Sequence, residues 1–123
     1  MNGAVNAVPT LCADRARERA ASVSADSLLA GLPILAKDLV DVEGVRTTYG
    51  SPIFSDHVPK ASNFLIDKLE GNGAVVMGKS NTPEFGAGAN TFNEVFGTAI
   101  WTILQCFVAD EEMFPKPKDR YAE

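Results

Sequence analysis

The apolar positions of this chain follow two rhythms, one helical and one of short unbroken runs. Leu11, Ala16, Ala20 and Val23 fall along one face of a helix, with Arg15, Glu18 and Arg19 around the rest of it. Thr10 is placed to cap that helix after Pro9. Asp14 lies in its first turn, where the helix dipole favours a negative charge. Residues 24–29 read as a connection. Residues 31–36, GLPILA, are a short apolar run behind a turn signal, the pattern of a buried strand ending at Lys37-Asp38. Residues 42–52 are rich in turn formers and read mostly as loop. Leu65, Ile66 and Leu69 mark a second helix over residues 62–69, with Ser62 as its cap and Gly71 or Gly73 as its stop. Residues 74–78, AVVMG, follow at once as a second strand. Helix, tight glycine turn and buried strand in succession point to an α/β layer. Thr82-Pro83-Glu84-Phe85 opens a further helical turn, with Thr82 as cap and Pro83 at the first position. Ile100, Ile103, Leu104, Phe107 and Val108 lie at i, i+3, i+4, i+7 and i+8, one face of an amphipathic helix. The polar, proline-interrupted end that follows reads as frayed.

Composition narrows the class. The 123 residues are 46% apolar and 22% charged, which is globular usage and room for one domain at most. A net charge of −5 argues against a general affinity for nucleic acid, because phosphate binding needs clustered Lys and Arg, and it disfavours an anionic membrane surface. The longest apolar stretch, residues 99–109, is broken by Thr102 and Gln105 and falls short of the ~20 residues of a membrane span. The first nine residues lack a basic region of the kind that opens a secretory signal. Cys12 and Cys106 are far apart and outside any CxxC, so both read as reduced thiols of a cytoplasmic protein.

Candidate chemistry is sparse. His57 is the only histidine and reads as a solvated loop residue, and no HExxH, CxxC or calcium-loop pattern supports a metal site. Gly71-Asn72-Gly73 precedes a strand rather than following one, so it reads as a turn and not a dinucleotide loop. Gly86-Ala87-Gly88 is a lone GxG. Lys37 ends an apolar strand. Partial desolvation there would disfavour its charged form and make it a base, whereas beside Asp38 it also reads as a solvated strand-end charge. Lys79-Ser80-Asn81-Thr82 leaves the second strand at its carboxyl end. In open α/β sheets ligand sites gather there, and a capping turn is the alternative reading.

Together, GLPILAKDLVDVEGVRTTYGS, ASNFLIDKLEGNGAVVMGKSNTPEFGAG and NTFNEVFGT resemble the amino-terminal part of the amidase signature family. VNAVPTLCADRARERA resembles the helical lead-in of its bacterial members. The resemblance covers about residues 4–97, and GLPILAKD at this distance from KSNTPEF is its most specific feature. It implies an α/β fold, the first layer of a mixed sheet with flanking helices. It also implies a carboxamide hydrolase with a Ser–cis-Ser–Lys triad, a small-molecule amide substrate and no metal or organic cofactor. The triad lysine maps onto Lys37. In the family this lysine draws a proton through the cis-serine from the nucleophilic serine, while backbone N–H groups of a Gly/Ser-rich loop hold the oxyanion. The family includes the component that releases ammonia from glutamine for tRNA-dependent amidation.

The pattern then breaks. No serine follows Ser80 and no glycine follows Gly97, so the Gly/Ser-rich run with both triad serines is not in these residues. Ser51, Ser55, Ser80 and Cys106 remain as nucleophile candidates without that setting. The expected organisation is an amidase-like segment, 4–97, and a divergent tail, 98–123, arising either from a shifted reading frame or as a genuine replacement. The expected behaviour is an amino-terminal amidase fragment, inactive alone. The rival expectation is a non-catalytic interaction module, since a truncated sheet exposes edges and an apolar face that favour a partner or self-association.

Overall fold

The computed structural model describes residues 5–99. Its regular elements are β1 (Thr10–Leu11), α1 (Ala13–Ser22), β2 (Pro33–Lys37), α2 (Phe64–Gly71) and β3 (Val75–Ser80). The three strands form one sheet in the order β1-β3-β2. β3 runs parallel to β2 and antiparallel to β1, so the sheet is mixed and the fold is α/β. A parallel pair needs a crossover, and the loop after β2 together with α2 supplies it.

Register decides what each side chain does. Ile34 pairs with Val76 but Leu35 pairs with Gly78, so Met77 is an extra residue in β3, a bulge. Beyond it Ala36 pairs with Lys79, and Lys37 with Ser80. Side chains alternate between faces along a strand, so Ala36 and Lys79 share one face while Lys37 and Ser80 share the other. On the first face Ala36, Val42, Val45, Ile66 and Val76 form the core, with Cys12, Ile34 and Val40 against it. On the second, Leu35 is 45% and Met77 41% exposed.

The helices begin later than their spacing suggests. Thr10 is a β1 residue paired with Lys79, and α1 starts at Ala13 with no side-chain cap. Strand pairing with β3 claims the backbone that a cap would use. α1 is instead tied to α2: Arg15 grips the Glu70 carboxylate with two bonds of 2.6 and 2.9 Å, and Arg19 Nη2 donates to Glu70 O. Asn63, not Ser62, caps α2 by accepting from Leu65 N at 2.9 Å. The Ser62 hydroxyl accepts from Glu43 N instead, tying the crossover loop to the helix start. α2 stops at a glycine turn in which Gly73 has φ +94°, and a Cβ there would collide with the Ser27 side chain. Thr82 caps nothing. Its hydroxyl donates to Pro83 O, and the helical turn shrinks to a 3-10 turn at Glu84–Gly86. The amphipathic pattern of residues 100–108 lies outside the described residues.

Residues 42–52 are irregular apart from a 3-10 turn starting at Pro52, yet they are not a surface loop. Val42, Thr47, Thr48 and Ser51 are fully buried. Their amides find partners without a strand ladder: Thr47 N donates to His57 O, Tyr49 N to Asp38 O and Gly44 N to Pro59 O. A buried loop whose polar groups are paired can serve as core.

Candidate active site

The chemistry-bearing residues collect where β2 and β3 end. Lys37 closes β2 with its side chain exposed, and Ser80 is its cross-strand neighbour on the same open face. The desolvation considered for Lys37 falls on Lys79 instead, because the two lysines point to opposite faces. Lys79 is fully buried. Its ammonium donates to Val40 O and, at 2.7 Å, to the Thr47 hydroxyl, and it lies 3.8 Å from Asp38 Oδ1. Burial pulls the Lys79 pKa down, and the nearby Asp38 carboxylate pulls it back up.

Asp38 is equally buried. Its Oδ2 accepts from Thr48 N at 3.0 Å and from Thr48 Oγ1 at 2.6 Å. Its backbone N–H donates to Ser80 O and its carbonyl accepts from Tyr49 N, each at 3.0 Å. The residue after Lys37 is thus fixed by backbone and side chain together. Lys37 stands on a rigid strand end with its own side chain unenclosed. Tyr49 adds a second tie by donating to Asp41 Oδ1 at 2.6 Å. Burial first, then the Asp41 hydrogen bond, pushes its phenol up to about 12.

Beyond β3, Asn81 and Asn93 build a polar latch. Asn93 Nδ2 donates to Asn81 Oδ1 at 2.7 Å and to Thr82 O at 2.8 Å, while its Oδ1 accepts from Val95 N and Phe96 N. Asn81 Nδ2 reaches Asn6 O, and Asn6 Nδ2 reaches Phe96 O and Thr98 O. This latch brings residues 93–98 to the carboxyl end of the sheet.

The other sequence candidates scatter. His57 is half-buried rather than solvated, stacked on Tyr49 with centroids 5.8 Å apart and edge-on to Phe54. Ser51 is buried, and among the described residues its hydroxyl has no partner. Ser55 donates to Asp56 Oδ2 at 3.4 Å. Cys12 is half-buried, and burial raises its thiol pKa. Cys106 lies outside the described residues. Among the described residues no three His, Cys, Asp or Glu gather as metal ligands, and no helix is long and apolar enough to cross a membrane. Sequence reading passes over Lys79, Asp38, Thr47 and Thr48 as a unit. The available signal was two strands that both end in lysine, AKD and GKS, whose parallel pairing puts the lysines out of step by one residue.

The sequence matches the Amidase family profile over residues 1–101. The chain belongs to the amidase family. It is 41% identical over 103 residues to a glutamyl-tRNA(Gln) amidotransferase component of Koribacter versatilis, a match covering 78% of this chain and 22% of the relative. Among solved structures it is similar to a 6-aminohexanoate cyclic dimer hydrolase, with a TM-score of 0.74 and 29% identity over 80% of this chain and 20% of the hydrolase. The corresponding glutamyl-tRNA(Gln) amidotransferase component of Thermotoga maritima superposes with a TM-score of 0.67 at 25% identity, over 80% of this chain and 21% of that one. The amidase chain thus spans about a fifth of the length of these relatives. It corresponds to their amino-terminal part, with the mixed α/β sheet expected from its sequence.

Proposed function

We propose that this amidase segment supplies the lysine half of a Ser–cis-Ser–Lys amide-hydrolysing site. Lys37 is its base. The supporting observation is the position of Lys37 at a rigid strand end, on the sheet face that the described residues leave open. In the reading, Lys37 Nζ takes the proton that a bridging serine passes on from the nucleophilic serine. The serine oxygen bonds to the amide carbon, the C–N bond breaks, and the departing nitrogen leaves protonated as ammonia or an amine. Water then cleaves the acyl-enzyme ester to the acid. Lys79 takes no part in this transfer and holds Asp38 from the covered face. The substrate class is a small carboxamide. Glutamine, in a tRNA-dependent amidotransferase, is one member, supported by the amidotransferase relatives.

Within this reading, residues 4–97 are the amidase-like unit and 98–123 a tail of different origin. In this reading the protein works in the cytoplasm, in keeping with a Cys12 that has no disulfide among the described residues. Both serines of the triad must come from elsewhere, because none follows Ser80 in these 123 residues. The purified 123-residue chain is therefore expected to release no ammonia from glutamine or simple carboxamides. Ammonia release that Lys37→Ala abolishes would show that these residues hold a complete site. The second reading, a non-catalytic interaction module, draws on the half-exposed Leu35 and Met77.

A further inference from the structure

The register of the parallel pair decides what stands opposite Lys37. Ile34 pairs with Val76, and an unbroken ladder from there would set Lys37 against Lys79. Two like charges directly opposite each other destabilise a sheet. The extra residue at Met77 moves every later pair on by one, so Lys37 meets Ser80 instead. Bulges re-aim side chains beside active sites, and this one exchanges an ammonium for a hydroxyl. We propose that Ser80 is a positioning residue for Lys37, its Oγ accepting an N–H of the lysine amine. The inference rests on the reading of Lys37 as the base.

Three observations support this role. The first is a fixed backbone. Asp38 N donates to Ser80 O at 3.0 Å, which pins the two strand ends together where the pair stands. Neighbouring strands lie ~4.8 Å apart, a span that a lysine side chain crosses with room to fold back. The second is that no rival is near among the described residues. Leu35 and Gly78, the adjoining positions on this face, have no polar side-chain atom. The polar groups just beyond are engaged: Thr82 Oγ1 donates to Pro83 O, Asn81 bonds to Asn6 O and Asn93, and Lys79 and Asp38 are buried with each other. The third is Ser80 itself. It is half-buried, and its hydroxyl has no hydrogen-bond partner among the described residues. An amine free to turn points its lone pair in any direction. With one N–H held by Ser80 Oγ, rotation about Cε–Nζ is restricted and the lone pair is aimed away from the sheet, where the bridging serine delivers its proton.

The experiment is hydrogen exchange of the Lys37 ammonium in the isotope-labelled 123-residue chain, followed by NMR at mildly acidic pH and low temperature, with the exposed Lys60 as reference. The expected result is exchange several-fold slower at Lys37 than at Lys60. Ser80→Ala should bring Lys37 to the Lys60 rate. Ser80→Thr keeps the hydroxyl and should preserve the protection. The buried Lys79 signal and the melting temperature should be the same in all three proteins, which separates loss of the contact from a loosened fold. If Ser80→Ala moves the Lys79 signal, Ser80→Cys takes its place, since it keeps the size of the side chain with a much weaker acceptor. Wild-type Lys37 exchanging as fast as Lys60 would overturn the proposal. So would protection that survives the loss of the Ser80 hydroxyl. No amide is hydrolysed in this experiment. A missing contact therefore removes Ser80 alone, whereas a Lys37 that proves dispensable for hydrolysis removes the base reading itself.

Discussion

Lys37 and Lys79 end neighbouring parallel strands, one residue out of step, and their surroundings could hardly differ more. Lys79 points into the covered face, where Val40 O, Thr47 Oγ1 and the Asp38 carboxylate surround its ammonium. Lys37 points to the open face, beside Ser80 and half-exposed Leu35. The covered face has already committed its polar groups to one another, and a lysine there serves the fold. The open face leaves its lysine without a side-chain partner among the described residues, and the proposed chemistry falls to it. One residue of register separates a structural cation from the lysine proposed as the base. The Met77 bulge fixes that register.

The sharpest way to break this comparison is to remove each lysine in turn. Lys79→Met leaves Asp38 as a buried charge with no counterion, which typically costs about 3–5 kcal/mol. Lys37→Met touches an exposed side chain and should stay within about 0.5 kcal/mol. Urea denaturation of the pair reads both, and equal losses would erase the distinction. Adding Asp38→Asn to Lys79→Met should recover part of the loss, because the stranded charge is gone. Next in size, Ile66→Ala empties the covered core and should cost ~2–5 kcal/mol. Leu35→Ala on the open face should cost clearly less, and calorimetry of the two variants shows whether the faces are as unequal as their exposure implies.

The smallest effect is on the alkaline side. Burial depresses Lys79, so below 10.5 the unfolded chain binds more protons than the folded one, and stability rises with pH there. Tyr49 runs the other way. Its folded phenol titrates at about 12 against 10 when unfolded, so its contribution is complete below 10 and is lost as pH rises through 12. Stability followed by denaturant midpoint between about pH 8 and 12 should therefore climb and then fall. Tyr49→Phe should remove much of the fall, and Lys79→Met the climb.

The parallel pair of the sheet was legible in the sequence because its signals are local, whereas β1 reads as the start of a helix. The apolar runs of residues 31–36 and 74–78, with a glycine turn before the second, mark β2 and β3 to within two residues. The helix starts were less legible, since Thr10 and Ser62 suit a cap by type but are claimed by partners distant in sequence, Lys79 and Glu43. Turn-rich composition concealed the burial of residues 42–52, because their amides are satisfied by Asp38, His57 and Pro59 rather than by a ladder. Family resemblance singles out Lys37, whereas composition leaves it an ordinary strand-end charge. The sequence marks Lys79 only as part of a polar cluster at a strand end; its burial depends on strand register, which no local pattern displays.

The role of Lys37 is tested most directly by graft. Residues 4–97 of this chain replace the matched amino-terminal fifth of the 6-aminohexanoate cyclic dimer hydrolase, whose remainder supplies the missing part of the fold. Ring opening of the cyclic dimer is then measured with and without Lys37→Ala, on proteins of matched thermal stability. The expected result is a working graft whose turnover falls on the order of 10²–10⁴-fold with Lys37→Ala, the usual contribution of a positioned acid–base group. A graft that works equally well without the Lys37 amine would contradict the assignment of Lys37 as the base.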